Sequence, residues 1–183
     1  TCGMECRADL SGTRMEGRKL NNPDQAGICY MAIHSVPESG FARLQEVFGP
    51  LRERRNARNR KMTENISRLM EPFGITLDFD RDVIPVSQYE NGGSITERHL
   101  LFALSQKILE KAGEDSCAEF VEQKLGIALN ETARERLSDP GNPHRIYDLL
   151  GVMKAELVGR IYVPATDECL PFRELVKLAD EVG

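Results

Sequence analysis

The chain has 183 residues, enough for one domain with a real hydrophobic core or for a large piece of one. Its 24 lysines and arginines stand against 29 acids, and the formal charge of -5 argues against a general binder of nucleic acid or of an anionic membrane. No apolar run reaches the length of a membrane span, and the five scattered cysteines read as reduced thiols of a cytoplasmic protein, not as a disulfide framework.

From the amino end, Met4, Cys6 and Ala8 alternate with Gly3, Glu5 and Arg7, which predicts a strand with Glu5 on its polar face or at a site. Residues 11–25 are turn-rich and polar, a long loop or hairpin carrying Arg14, Arg18 and Lys19. Residues 27–37 form a nearly continuous apolar run, predicting a strand buried on both faces and ending at His34. Open sheets and β/α barrels place catalytic groups at such a carboxyl end.

Residues 41–70 carry helical stripes, Phe41, Leu44, Phe48 and Leu51 on one, then Met62, Ile66 and Leu69 on another. Gly49-Pro50 interrupts them, so two helices or one kinked helix are expected. Between the stripes, Arg52 to Lys61 is the dense basic run. It supports an alternative reading, a helical module gripping RNA or a phosphorylated partner, but it lacks interleaved aromatic residues and reads better as a solvated helix face. Residues 75–80 alternate like a short strand or extended arm, with Asp78, Asp80 and Asp82 read as exposed.

Gly92-Gly93-Ser94-Ile95-Thr96-Glu97-Arg98-His99 opens the next helix. Ser94 and Glu97 have the spacing of a capping box, so the helix is expected from about Ile95, with His99 in its first two turns. Alone, such a histidine is read as an ordinary structural residue. Short helices follow over 117–125 and from Asn130, and a longer one after Pro143. His144 reads as a first-turn residue there, residues 160–164 as extended, and Leu175, Leu178 and Ala179 as the buried side of a closing helix.

Gly3-Met4-Glu5, the strand ending in His34, Gly93 to His99 opening a Leu-Leu-Phe-Ala-Leu-Ser-Gln-Lys helix, and Tyr162-Val163-Pro164 followed by Leu170 to Ala179 together resemble the polymerase and histidinol phosphatase (PHP) family of metal-dependent phosphoesterases. The resemblance implies an α/β fold, a helix-rich fragment of a distorted seven-stranded β/α barrel. Residues 1–37 would give barrel strands and a loop, 38–92 a helical insertion or cap, and 93–183 a helical region returning to the barrel. It carries Glu5 onto the family's metal-bridging carboxylate, and His34 and His99 onto metal-binding histidines of a zinc, manganese or iron cluster. The family's opening His-x-His and closing Asp-x-His are absent here. That absence, with Thr1 at the start and a helix tail at the end, leads to the expectation of a fragment of low activity.

Cations that neutralise phosphoryl oxygens and acidify a bound water are what hydrolysis of a phosphate ester needs. Arg98, Arg18 and Lys19 are the candidate cationic groups for the phosphoryl oxygens. The expected partner is a small-molecule phosphate ester or nucleotide, with no membrane and nucleic acid not favoured.

Overall fold

Alternation in the first segment does produce a strand. β1 (Cys2–Asp9) pairs antiparallel with β2 (Ile28–Val36), setting Glu5 opposite Ala32, Cys6 opposite Met31 and Arg7 opposite Tyr30. β3 (Leu170–Pro171) adds in parallel beside Ala8 and Asp9, giving the order β2-β1-β3. The computed structural model, a mixed α/β protein, describes residues 2–113 and 116–183. These form two compact units, one of Thr1–Ala57 with Pro164–Gly183 and the other of Arg58–Val163. The division falls at 57/58 and 163/164.

In the first unit, one sheet face supplies Cys6, Ala8, Cys29, Ile33 and Val36. These pack with Leu44 of α1 (Phe41–Met70) and with Leu175, Leu178 and Val182 of α6 (Phe172–Val182). Each large side chain so buried contributes about 1.5–3 kcal/mol. The other face is covered at one end only. β2 is therefore not buried on both faces as expected, and Ala32, His34 and Ser35 are exposed. Among the described residues, no layer covers that end of the face.

Two side-chain amides stand in for missing strands. Asn21 donates to the Tyr30 carbonyl and accepts from the Tyr30 amide, both at 2.9 Å. Gln25 does the same for Ala165, at 2.8 and 2.9 Å. Edge backbone groups are thereby satisfied locally and offer less to a second chain.

α1 is one unbroken helix of 30 residues with Pro50 inside it, where two helices were a sequence-based option. Pro50 has no amide hydrogen to donate to the Glu46 carbonyl, and both residues are exposed, so water can replace the bond.

The second unit is helical. α2 (Glu97–Ala112) and α5 (Arg145–Ile161) contribute Leu100, Leu101, Leu104 and Ile108, and Leu149, Met153, Leu157 and Ile161, to one core with Met62 and Ile66 of α1. α3 (Cys117–Glu119), a following single turn over Phe120–Lys124, and α4 (Glu131–Ser138) close it. The expected cap of α4 is present, since Asn130 accepts from the Ala133 amide at 2.8 Å. α5 runs through Ile161, so residues 160 and 161 are helical, not extended. Residues 75–78 are extended without pairing as a strand. Ser67 pins them by bonding both the amide and the carbonyl of Leu77 at 2.9 Å.

Among the described residues, no helix is long and apolar enough to cross a membrane.

Candidate functional site

Side chains alternate across a strand, and directly paired antiparallel residues share a face. Gly3, Glu5 and Arg7 therefore lie on one face of the hairpin with Tyr30, Ala32 and His34. At its open end the register slips. Cys2 pairs with Val36 and Met4 with Ile33, so His34 and Ser35 together oppose Gly3 in a β-bulge. Ser35 takes a positive φ of 62°, unusual for a residue with a side chain.

Gly3 is what the bulge closes on. A Cβ at this position would sit 3.3 Å from Nδ1 of His34 and 3.1 Å from the Ile33 carbonyl oxygen. Glu5 and His34 are both exposed, and among the described residues neither has a hydrogen-bond or ion-pair partner. A carboxylate and an imidazole thus leave one face of one strand pair with their donor atoms open.

Further along the same face the environment becomes dry and charged. Arg7, 8% exposed, donates to Glu168, 3% exposed, at 2.6 Å, and Arg55 lies 3.7 Å from the same carboxylate oxygen. The Arg7 guanidinium also lies 5.6 Å from the centre of the Tyr30 ring. Sequence reading missed this cluster, because an arginine at a polar strand position and an acid in a loop carry no signal of burial. Nearby, burial pushes the Cys6 and Cys169 thiols up to about 11. They stay protonated at neutral pH, and Cys6, Cys29, Cys117 and Cys169 are all buried and free, as inert structural thiols are.

His99 belongs to the second unit. α2 begins at Glu97, with Thr96 as its N-cap, two residues later than expected. The capping partners are Thr96 and His99, not Ser94 and Glu97. The Thr96 amide donates to Nδ1 of His99 at 3.0 Å, with the Thr96 hydroxyl 3.3 Å away. An Nδ1 that accepts leaves the proton of a neutral ring on Nε2. The ring would have to release the Thr96 amide before Nε2 could serve a metal. Burial holds the His99 pKa below its ordinary value, against an upward pull from Glu97.

The other candidates scatter. Arg18 and Lys19 are exposed in the loop at the Asp9–Ile28 end of the hairpin, the end away from His34, with Gly27 donating to the Arg18 carbonyl at 2.9 Å. Arg98 is exposed in the first turn of α2.

The basic run, read as a solvated face, is largely engaged within the fold. Arg54 donates to the Asp167 carbonyl at 2.8 Å, and Arg58 is buried and donates to the Val163 carbonyl at 2.9 Å. Arg60 makes a bidentate pair with Asp80 at 2.5 and 2.6 Å while lying 4.5 Å from the centre of the Phe79 ring. That pairing holds the Asp80 carboxyl below the usual carboxylate range. Of the neighbouring acids, Asp82 bonds the Asp78 amide at 2.7 Å and pairs with Lys107 at 3.1 Å, and Asp78 caps the Arg81 amide at 2.8 Å.

Among the described residues no group of three or more His, Cys, Asp or Glu side chains is arranged to hold a metal ion. Glu5 and His34 fit the requirements for two donors, being open and of the right chemistry, whereas His99 in its capping role does not. The fold is that of a mixed α/β chain, with an exposed carboxylate and an exposed imidazole on one sheet face. No protein-family model, curated protein or solved structure matches the chain.

Proposed function

We propose that this chain supplies part of the metal site of a phosphoesterase of the kind it resembles, the PHP family, with Glu5 and His34 as donors. The observation that carries the reading is that these two residues, singled out by separate motifs, share one sheet face, are exposed, and lack partners among the described residues. Carboxylate oxygen and neutral imidazole are donors that zinc, manganese and iron accept. A divalent ion held there would neutralise phosphoryl oxygens and lower the pKa of bound water.

The chain's own part is to hold the donors open on a strand pair backed by a packed core, with the Arg7–Glu168 pair buried further along the same face. Arg18 and Lys19, in the same unit, rank below the donors as phosphate-binding cations. The substrate class is a small phosphate ester or nucleotide. The finer fold reading, a fragment of a distorted seven-stranded barrel with 38–92 as an insertion, stays a proposal that follows from the resemblance alone; the described sheet has three strands.

Two protein donors hold a divalent ion weakly, so the chain should bind manganese weakly and hydrolyse little aryl phosphate by itself. Titration with Mn²⁺ followed by electron paramagnetic resonance tests this in the wild type, Glu5→Gln and His34→Gln. Each substitution should weaken binding by about tenfold or more. Unchanged binding in both variants overturns the proposal, and robust hydrolysis by the wild-type chain overturns its incompleteness.

A further inference from the structure

We infer that the loop between β1 and β2 is a docking surface for an anionic lipid membrane, its cations meeting headgroup phosphates while Met15 and Leu20 enter the apolar layer beneath. The inference is independent of the metal reading, since this loop lies at the hairpin end away from His34.

The whole-chain charge of -5, which argues against a general membrane binder, hides a local excess of the opposite sign. Residues 11–21 hold three cations, Arg14, Arg18 and Lys19, against one acid, Glu16. In the denser basic run over residues 52–61, Arg54 holds the Asp167 carbonyl and Arg60 pairs with Asp80. The loop cations are different: among the described residues, the side chains of Arg14, Arg18 and Lys19 make no hydrogen bond or ion pair. The acids beside them are engaged elsewhere. Asp9 accepts from the Ser11 amide and hydroxyl at 2.9 and 2.7 Å, and Glu16 accepts from the Gly12 amide at 3.0 Å.

The loop is also held in shape. The Thr13, Glu16 and Arg18 amides close successive turns on the Leu10, Thr13 and Met15 carbonyls at 3.1, 3.2 and 3.1 Å, and Gly27 donates to the Arg18 carbonyl at 2.9 Å. With its backbone so tied, it presents side chains outward, and ten of the eleven residues over 11–21 are exposed. Met15 and Leu20 are among them, 37% and 43% exposed. Aliphatic side chains in water beside cations without counter-ions are stabilised on both counts at an anionic lipid surface.

The other anionic partners fit less well. A stable protein interface takes about 20–30 residues from each side, more than the loop presents. Single-stranded nucleic acid is gripped by aromatic side chains, and residues 11–21 contain none. A lipid surface demands neither, because each cation and each apolar side chain contributes to binding singly. The negative charge of the rest of the chain opposes the approach, so binding is weak and is lost as salt screens the loop.

The chain has no tryptophan, which makes Leu20→Trp a clean reporter at an exposed site. On phosphatidylcholine vesicles containing about a third phosphatidylserine, its emission should shift to the blue, and on phosphatidylcholine alone it should stay as in buffer. Emission unmoved by the anionic vesicles overturns the inference. So does a shift produced by poly-glutamate or oligodeoxythymidine but not by vesicles, which assigns the loop to an acidic protein or to nucleic acid. An equal shift with inorganic phosphate would mean a small-anion site instead.

Vesicle sedimentation at low salt measures the parts. Arg18→Gln and Lys19→Gln should each weaken binding about fivefold, and Leu20→Ser about tenfold. Arg173→Gln and Lys177→Gln remove the same charge from the exposed side of α6 and should bind as wild type. Equal losses from α6 and from the loop would make the attraction a diffuse one and end the loop's role.

Discussion

At His99 a ring nitrogen takes the part that a carboxylate or amide oxygen plays in the usual capping box, accepting the Thr96 amide three residues back. The sequence reading took Ser94 with Glu97, the better-known pattern, whereas the fold pairs Thr96 with His99. What decides between them is Ile95. Fully buried ahead of the helix, it fixes where the chain enters α2, a tertiary constraint that no local pattern reports. The His99 pKa is lowered by burial, so the folded ring stays neutral to lower pH than the ring in the unfolded chain. As pH falls through the unfolded value, near 6.5, the unfolded state takes up the proton first and stability drops; above that value the ring costs nothing. His99→Gln keeps an acceptor for the Thr96 amide and removes the titration. Its urea midpoint should match wild type within roughly 0.5 kcal/mol at neutral pH and fall less steeply toward about pH 5. An equally steep fall in both would show that the ring is not protonated in this window. The same variant should leave manganese binding unchanged, which a third metal ligand at this position would not.

The elements were legible where their pattern is local. The stripes of α1, the alternation of β1 and the Asn130 cap all emerge as read, because spacing alone sets them. At Pro50, read as a break or a kink, the helix runs on, and the residues around it are exposed, where water can take up the carbonyl left without a donor. The basic run shows the opposite limit. Its arginines meet Asp167, Glu168, Val163 and Asp80, partners 20 to 113 residues away that no window along the chain contains. Glu168 shows most clearly what such contacts are worth, because its carboxylate is buried between Arg7 and Arg55. Glu168→Gln leaves the buried Arg7 guanidinium without this counter-ion, and should cost about 3–5 kcal/mol in urea unfolding. A loss under roughly 1 kcal/mol would mean that water reaches the pair and screens it.

For the whole molecule, two separate cores matter more than the strand count. One is built on the sheet, with Leu44, Leu175, Leu178 and Val182; the other is built by α2, α4 and α5 with Met62 and Ile66. The return of residues 164–183 to the first unit was not legible in the sequence, because it runs through the two-residue β3, too short to leave a periodic signal. Chains with two cores commonly depart from all-or-none unfolding. Leu104, fully buried in the helical core, and Leu178, 4% exposed in the sheet core, provide matched probes. Truncating either to alanine should cost its own unit about 2–5 kcal/mol. Amide hydrogen exchange should then show Leu104→Ala speeding exchange over α2 and α5 while β1 and β2 keep wild-type protection, with Leu178→Ala giving the reverse. The cooperative reading makes the contrary demand: either substitution would lower protection in both sets of amides by the same free energy, which would mean that α1, whose residues enter both cores, welds them into one folding unit.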